Sequence, residues 1–227
     1  MKAEVITFPG SNCDRDAVTA LQKIGAKVTR IWHQENKIDD NLDLIIVPGG
    51  FSYGDYLRSG AMASISPVMN EVRRLSQKGV KILGICNGFQ ILTESGLLPG
   101  VLLRNKKMKF ICKTVNLRVE NNDSTFTKKY KKQQNIRVPI AHMDGNYYTD
   151  SETLKKLEGE GGIAFRYVDE EGNLTDDANP NGSMFNIAGI FNEQKNVLGM
   201  MPHPERAIYP DCGSEDGFLM FQSLFNN

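Results

Sequence analysis

Short apolar runs alternate with segments of helical periodicity through the first half of the chain. The run at 44–47, Leu-Ile-Ile-Val, is apolar on both faces, as expected for a parallel strand covered by helices. Between such runs, apolar residues recur every three or four positions, which is typical of amphipathic helices. We expect strands at 4–8, 27–32, 44–47 and 81–85 and helices at 14–24, 67–78 and 87–95. This order predicts an α/β fold with an open, mostly parallel, doubly wound sheet.

The pattern loosens between residues 103 and 137, where polar and basic stretches surround apolar runs at 110–113 and 115–119. We interpret these runs as additional strands, antiparallel to their neighbours. Further along, the periodicity predicts a helix at 150–157, strands at 162–168, 187–191 and 197–201, and a last helix at 216–225. Because the 227 residues contain no repeat or long linker, we expect one domain over 1–227.

Charge and hydropathy exclude several classes of partner. The 27 basic and 27 acidic residues balance, so no overall field attracts nucleic acid or an anionic membrane. No apolar run approaches the roughly 18 residues of a membrane span, and no secretory signal pattern opens the sequence. The 4 scattered cysteines lack Cys-x-x-Cys spacing, which is typical of a reducing compartment. We therefore expect a cytoplasmic protein without nucleic-acid or membrane partners.

One cysteine stands between two glycines where an apolar strand passes into a helix, in Gly84-Ile-Cys-Asn-Gly88. Small flanking residues permit the sharp strand-to-helix turn of the Gly-x-Ser-x-Gly nucleophile motif. Such a turn would expose Cys86 above the sheet at the positive end of the helix, which favours a thiolate. It would also free the N–H of Asn87 to bind an oxyanion. The alternative interpretation is a buried structural cysteine.

A thiol nucleophile needs a base and a group that orients this base. His203 lies in Met201-Pro-His-Pro-Glu-Arg206, where Pro204 favours an extended backbone at His203. Residues two apart in an extended segment point to the same side, so Glu205 can hold the imidazole. The pair follows an apolar strand and should reach the sheet edge where open α/β sheets bind ligands. The alternative interpretation is a proline-rigid surface loop.

The other histidines and cysteines are weaker candidates. His33 follows a strand and is expected to serve packing or to lie on the surface, whereas His142 sits at a turn and could face a ligand or partner. Cys13 also lies at a helix start, but an acidic neighbour disfavours its thiolate. Cys112 is expected in the core, and Cys212 is expected in a loop.

A glycine-rich loop, Pro48–Arg58, follows the third predicted strand. It does not match a phosphate-binding loop, because Asp55 stands where that motif places its lysine. The N–H groups of Gly49 and Gly50 can instead contribute to an oxyanion hole. A metal centre is not expected, since the His-x-Glu pair lacks the Pro-Cys-x-x-Cys ligands of a zinc deaminase.

Several blocks of the sequence together resemble the class I, or triad, glutamine amidotransferases. Within that class they are similar to the stand-alone glutaminase subunits of phosphoribosylformylglycinamidine synthase, an enzyme of purine biosynthesis. The combination of blocks is more specific than Gly-x-Cys-x-Gly alone and extends along nearly the whole chain. The blocks are Phe8–Asp14, Pro48–Arg58, Cys86–Leu92, Gly96–Gly100 and Gly199–Arg206.

The resemblance implies a flavodoxin-like sheet and a catalytic triad of Cys86, His203 and Glu205. It implies an oxyanion hole formed by the N–H groups of Gly50 and Asn87. It further implies that three residues contact the substrate glutamine: Gly49, Phe51 and Gln90.

The chemistry implied by the resemblance is hydrolysis of glutamine to glutamate and ammonia. The ammonia would pass to an ATP-dependent synthetase subunit that converts formylglycinamide ribonucleotide to formylglycinamidine ribonucleotide, with a small third subunit in the complex. This chain would need no cofactor, because the synthetase uses the ATP and magnesium. The alternatives are a glutaminase serving another acceptor synthetase and a redox-sensing α/β module without enzymatic activity.

The sequence departs from the family pattern in one short segment, at two adjacent residues. The family usually has His-Gly-Glu-Gly-Asn-Tyr where this chain has His142-Met-Asp-Gly-Asn-Tyr147. Met143 replaces a glycine, and Asp144 shortens a carboxylate. The family pattern therefore does not predict the conformation of this turn.

Overall fold

The computed structural model describes residues 1–225, which form a mixed α/β fold. The helices are α1 (Asp14–Lys23), α2 (Ala61–Ser64), α3 (Val68–Gln77), α4 (Asn87–Glu94), α5 (Ser151–Gly159) and α6 (Phe218–Leu224). The strands are β1 (Lys2–Thr7), β2 (Lys27–Trp32), β3 (Leu44–Val47), β4 (Lys81–Ile85), β5 (Val101–Leu103), β6 (Ile111–Val119), β7 (Asn135–His142), β8 (Asn146–Tyr148), β9 (Ile163–Val168), β10 (Ile187–Phe191) and β11 (Val197–Met200).

The main sheet has nine strands in the order β2-β1-β3-β4-β11-β10-β9-β6-β7. The strands from β2 to β11 pair in parallel, and those from β11 to β7 pair antiparallel. A separate antiparallel pair joins β5 to β8. The predicted class, an open doubly wound sheet with additional antiparallel strands, is confirmed.

The winding of the chain places a ligand-binding edge near β1 and β3. Helix α1 leads from β1 to its neighbour on one side, whereas α3 leads from β3 to its neighbour on the other. Because such crossovers are right-handed, the two helices cover opposite faces. The strand order reverses between β1 and β3, and open α/β sheets bind ligands at the carboxyl ends of strands at such a switch point.

Helix α4 packs unusually close to the centre of the sheet. A Cβ atom at Gly88 would lie 1.8 Å from the carbonyl oxygen of Val47, and one at Gly84 would lie 2.4 Å from Leu92 Cδ1. The seven residues Asn87–Thr93 of this helix are buried. The two glycines that flank Cys86 therefore allow close helix–sheet packing at the turn.

Four elements of the fold, namely β5, β7, β8 and α2, were not predicted by the pattern. β6 is one continuous strand, and β7 pairs with it along its length. Pro139 lies within β7, which the edge position of this strand permits, because an edge strand need not donate every N–H. β5, β8 and α2 were also missed, since each has only three or four residues.

Cys112 corrects one expectation from the sequence. It was predicted to lie in the core, but its side chain is exposed. The reason is that β9 pairs only with Asn116–Val119 of β6, so the first half of β6 has β7 as its one strand neighbour among residues 1–225.

Two further expectations concern the chain as a whole. None of the helices within residues 1–225 has the length and apolar composition needed to cross a bilayer. The predicted domain ends at residue 227, and residues 226 and 227 lie outside the described part of the chain. The assignment of a single domain stays a prediction.

Candidate active site

Cys86 forms the turn between β4 and α4 in a rare backbone conformation. Its φ is 51° and its ψ is −105°, which L-residues seldom adopt. Its N–H donates to the carbonyl oxygen of Met200 at 2.8 Å, and its own carbonyl accepts from the N–H of Phe89 at 3.0 Å. Backbone strain of this kind persists only where the surroundings hold it, and it is typical of a nucleophile turn.

The Cys86 side chain is covered by the end of β7. The predicted exposure of this thiol is wrong: only 5% of the residue is accessible. Its sulfur lies 3.7 Å from the carbonyl oxygen of Ala141, in β7. The turn therefore aims the thiol into a covered space between the strand ends.

His203 and Glu205 form a buried pair at the end of β11. His203 Nδ1 lies 2.7 Å from Glu205 Oε1, and each residue is 2% exposed. The predicted extended segment is wrong beyond His203, because Pro204–Arg206 turns into a short 3-10 helix. The 3-10 turn nevertheless joins the two side chains. Among the described residues, His203 Nε2 and Glu205 Oε2 have no hydrogen-bond partner.

The imidazole of His203 interacts with the carboxylate and with two thiols. Burial lowers the pKa of His203, but the charges of Glu205 and Cys86 and the proximity of the Cys13 and Cys86 thiols raise it. The balance leaves the pKa of His203 well above its ordinary value. Cys86, His203 and Glu205, from distant parts of the chain, therefore meet at one edge of the sheet.

Cys13 is a second thiol at this site, which the sequence interpretation set aside. Its sulfur accepts from Arg206 Nη2 at 3.1 Å. Burial raises the pKa of Cys13, although the nearby imidazole of His203 opposes that shift. No sequence pattern indicated this contact, because it depends on α1 starting at the same sheet edge.

Three buried donors in this region lie close enough to be considered as metal ligands. Side-chain atoms of Cys13, His203 and Glu205 lie within 4.8 Å of one another, and sulfur, nitrogen and oxygen donors suit zinc. However, the Arg206 guanidinium already donates to the Cys13 sulfur, and its positive charge opposes a cation there. That no metal is used stays a prediction.

Gly49 allows the imidazole and the second thiol to approach each other. A Cβ atom at Gly49 would lie 2.8 Å from His203 Cε1 and 3.1 Å from Cys13 Sγ. The glycine therefore packs directly against the candidate base. Its predicted contact with glutamine stays a prediction.

Gly50 and Asn87, the predicted oxyanion donors, follow the neighbouring parallel strands β3 and β4. Gly50 has a φ of 133°, and a Cβ atom there would lie 2.7 Å from the backbone nitrogen of Asn12. Asn87 is the first residue of α4, so its N–H has no acceptor within the helix. Their role as oxyanion donors stays a prediction.

The other predicted glutamine contacts differ in their surroundings. Phe51 is 42% exposed, and its ring centroid lies 6.4 Å from that of Phe110. Gln90 is buried: its Oε1 accepts from Asn87 Nδ2 at 2.9 Å, and its Nε2 donates to the carbonyl oxygen of Asp144 at 2.6 Å. Gln90 thus bonds to protein groups at both ends of its amide, and contact of either residue with glutamine stays a prediction.

Known proteins resemble this chain in sequence and in fold. Residues 1–216 match the family model described as the CobB/CobQ-like glutamine amidotransferase domain. The phosphoribosylformylglycinamidine synthase subunit PurQ of Koribacter versatilis is 56% identical over 225 residues, 99% of this chain and 97% of that protein. The subunit of the same name from Zymomonas mobilis is 56% identical, with 99% and 98% covered. The chain belongs to the PurQ family of glutamine amidotransferases.

A solved structure supports the same assignment. A chain in the structure of PurLQS from Thermotoga maritima has 46% sequence identity to this amidotransferase and a TM-score of 0.87, with 98% of this chain and 96% of that chain covered. The glutaminase domain of a Trypanosoma brucei CTPS, at 13% identity and a TM-score of 0.61, shares the fold.

His142 is a further site neighbour of this amidotransferase. It lies at the end of β7, next to Ala141, and its Nδ1 is 3.2 Å from Asn105 Oδ1. Burial lowers its pKa to about 4, and the charge of His203 contributes. The imidazole is therefore neutral at ordinary pH. The sequence placed His142 at a turn, but it gave no indication of this burial or of Asn105.

The departure from the family pattern forms a closely bonded turn. Asp144 Oδ2 accepts from Ser59 Oγ at 2.9 Å, and its Oδ1 accepts from Arg104 Nε at 3.1 Å. The carbonyl of Met143 accepts from the N–H of Asn105 at 2.8 Å. The shorter carboxylate thus makes direct contact with Ser59, the residue that follows the glycine-rich loop.

His33 and Cys212, the remaining candidates, lie where they were expected from the sequence. His33 is buried, and its Nδ1 lies 2.8 Å from the hydroxyl oxygen of Tyr53. Cys212 is exposed in a short 3-10 segment. Neither contacts Cys86 or His203 in the described part of the chain.

Proposed function

We propose that this amidotransferase hydrolyses glutamine with Cys86 as nucleophile, His203 as acid and base, and Glu205 as the group that orients the imidazole. The observation that carries the proposal is the buried His203–Glu205 hydrogen bond beside the strained Cys86 turn. A base held by a third group within reach of a nucleophile is the arrangement that covalent catalysis requires.

The first half of the reaction forms a thioester. The Cys86 thiolate attacks the carbonyl carbon of the glutamine side-chain amide, and the oxygen takes the negative charge. The N–H groups of Gly50 and Asn87 stabilise this oxyanion. His203 donates a proton to the departing nitrogen, the carbon–nitrogen bond breaks, and ammonia leaves a glutamyl thioester on Cys86.

The second half regenerates the enzyme. His203 removes a proton from water, and the resulting hydroxide attacks the thioester carbonyl. The carbon–sulfur bond breaks, glutamate is released, and the thiolate of Cys86 returns. Glu205 keeps the imidazole in one tautomer and stabilises its protonated form in both halves.

The ammonia serves a synthetase subunit that converts formylglycinamide ribonucleotide to formylglycinamidine ribonucleotide with ATP, in a complex with a small third subunit. Support comes from relatives at 54–56% identity that carry the synthase subunit name and from the neighbour in a PurLQS structure. These names favour this acceptor over another synthetase. This chain requires no cofactor of its own, because it is the synthetase subunit that uses ATP and magnesium.

The setting of the protein is also part of the proposal. Four scattered cysteines without disulfide spacing are typical of a reducing compartment, and we place the protein in the cytoplasm. Residues 1–227 act as one domain, because the candidate nucleophile at the end of β4 is covered by Ala141 of β7, in the antiparallel half.

The test compares three cysteine variants in complex with the synthetase and the small subunit. Cys86→Ala should abolish glutamate release, whereas Cys112→Ala, which changes an exposed thiol, should leave it unchanged. Cys13→Ala tests the other thiol beside His203 and should retain thioester formation with radiolabelled glutamine. Glutamate release by Cys86→Ala at the wild-type rate would refute the proposed nucleophile.

A further inference from the structure

The loop that follows β3 holds several residues in an unfavourable backbone conformation. Tyr53, Asp55 and Leu57 have φ values of 54°, 55° and 70°. Non-glycine residues seldom adopt this left-handed region, and Leu lacks the short polar side chain that eases it. Such conformations persist where the surroundings impose them and cluster at functional segments.

The tip of this loop presents apolar side chains to solvent. Tyr56 is 71% exposed and Leu57 is 75% exposed. Phe51, at the start of the loop, packs against Phe110, and both rings are more than two-fifths exposed, as is Met108. We call these five residues the apolar tip surface. Exposed apolar groups that gather in one region mark interaction sites, whereas single scattered ones do not, and three of these five residues belong to one loop.

A ring of hydrogen bonds connects this loop to the candidate oxyanion donor. The N–H of Ser52 donates to Asn87 Oδ1 at 3.1 Å, and Asn87 Nδ2 donates to Gln90 Oε1 at 2.9 Å. Gln90 Nε2 donates to the carbonyl oxygen of Asp144 at 2.6 Å. Ser59 Oγ donates to Asp144 Oδ2 at 2.9 Å, which returns the ring to the same loop.

A second carboxyl group, that of Asp55, lies near the Ser59 corner of the ring. Burial raises the pKa of Asp55, the nearby Ser59 hydroxyl lowers it, and the charge of Asp144 raises it. Within residues 1–225, Asp55 Oδ1 is buried without a hydrogen-bond partner. The Ser59 hydroxyl, which donates to Asp144, therefore lies in a region shared by two carboxyl groups.

We propose that the apolar tip surface docks the synthetase subunit, and that docking reaches Asn87 through Ser59, Asp144 and Gln90. Displacement of the tip moves Ser59 and with it Asp144, whose carbonyl holds the Gln90 amide. Gln90 in turn holds the Asn87 side chain, so the start of α4 and its N–H shift. Asp144 and Ser59 are positioning residues, since they act on the site through Gln90.

The occupant follows from the chemistry of the product, and this step rests on the proposed function. Ammonia released into neutral water becomes protonated and loses its nucleophilicity, so the enzyme that consumes it must cover the site. The apolar tip surface begins at Phe51, the residue after Gly50. The next residue, Ser52, donates its N–H to Asn87 Oδ1. The surface that adjoins the nucleophile therefore suits the synthetase subunit as its occupant.

Docking is tested with two matched tyrosine variants. Tyr56→Asp places a charge in the apolar tip surface, and Tyr209→Asp places one beside Lys23, a contact of the Tyr209 ring. Titration with the synthetase and small subunit should give a dissociation constant that is at least tenfold higher for Tyr56→Asp and unchanged for Tyr209→Asp. Equal affinity of the Tyr56→Asp and wild-type chains would overturn the docking surface.

The relay is tested by the rate at which a glutamine-analogue electrophile labels Cys86, measured with and without the synthetase. Asp144→Asn should bind the synthetase with wild-type affinity, but the acceleration of labelling on docking should fall at least tenfold. Ser59→Ala, a smaller change at the same bond, should act in the same direction and serves if Asp144→Asn does not fold. Full acceleration in the folded variants would refute the relay.

The wild-type complex separates this inference from the function on which it rests. If Cys86 in the wild-type complex is not labelled, the proposed nucleophile fails, whatever the tyrosine variants do. If the wild type is labelled and accelerated but Tyr56→Asp and Asp144→Asn behave as wild type, the function stands and the docking relay fails.

Discussion

The Nδ1 atom of His203 lies 2.7 Å from Oε1 of Glu205 in a region with almost no solvent access. A hydrogen bond at this length between two buried groups holds the imidazole in one tautomer and leaves its other nitrogen for the reaction. Burial, which lowers the pKa of His203, is outweighed by the nearby carboxylate and thiol. The pKa of His203 thus depends on the Glu205 carboxylate and on the thiols beside the imidazole.

Glu205→Gln should therefore lower kcat by about a hundredfold to ten-thousandfold, because an amide can hold the wrong tautomer and cannot stabilise the protonated imidazole. Glutamate release by the complex measures this. The matched control is Glu215→Gln, which alters an exposed carboxylate 3.8 Å from Lys23 and should leave kcat unchanged. Equal kcat for both variants would remove Glu205 from the mechanism.

Gly88→Ala should destabilise the fold more than other glycine substitutions. The added methyl would lie 1.8 Å from a backbone carbonyl, so α4 must shift, at a cost of about 3 kcal/mol. The thermal midpoint should fall by about 10 °C for a protein of this size. Gly159→Ala, at the end of α5 with nothing within 4 Å, is the control and should change stability by less than about 1 kcal/mol.

Gly49→Ala should impair catalysis while perturbing the fold less than Gly88→Ala. The methyl would press on the His203 ring and on the Cys13 sulfur, both of which are side-chain atoms that can move. We expect kcat/KM to fall by about tenfold or more, since a misplaced base loses alignment with the thiol. Steady-state kinetics and thermal unfolding of the same preparation separate the two effects. A stability loss as large as in Gly88→Ala would contradict this.

His142 should make the protein less stable as the pH falls from 6.5 to 4. Its pKa is lowered from 6.5 to about 4, so between these values the unfolded chain binds a proton that the folded chain excludes. Stability is therefore greatest above pH 6.5 and declines towards pH 4, by about 3 kcal/mol from this residue. His203, with its raised pKa, contributes with the opposite sign: its stabilisation is present below 6.5 and is lost at higher pH.

Denaturant unfolding across this pH range should show a steeper decline for the wild type than for His142→Asn. Because both proteins retain His203, its contribution largely cancels in the difference. Parallel stability curves for the two proteins would show that His142 does not titrate in this way.

The parallel half of the fold was predictable from the sequence because most strands there are short apolar runs bounded by helical periodicity. The strands at 27–32, 44–47 and 81–85 have the predicted limits. β7 was missed because it is an edge strand with one buried face and contains Pro139, so it lacks the continuous apolar run of a central strand. The exposure of Cys112 likewise depends on where β9 stops pairing.

The candidate triad was accessible for a different reason. Gly84 and Gly88 around Cys86, and the prolines around His203, indicate in the local sequence the backbone conformation that each side chain requires. The local sequence gives no such indication for Cys13, His142 and Asn105, because only the packing of separate elements brings them to the site. The ring through Asp144 could not be predicted either, since its members lie in helix α4 and in two loops that are distant in the sequence.

Strand β11 comes latest in the sequence among the strands of residues 1–225, yet it is inserted between β4 and β10 in the middle of the sheet. His203 and Glu205, the proposed base and its carboxylate, follow this strand directly. A nascent polypeptide that has emerged from the ribosome only as far as β10 therefore lacks both groups. Under the proposed mechanism, such an unfinished molecule cannot hydrolyse glutamine, and activity arises only when β11 completes the centre of the sheet.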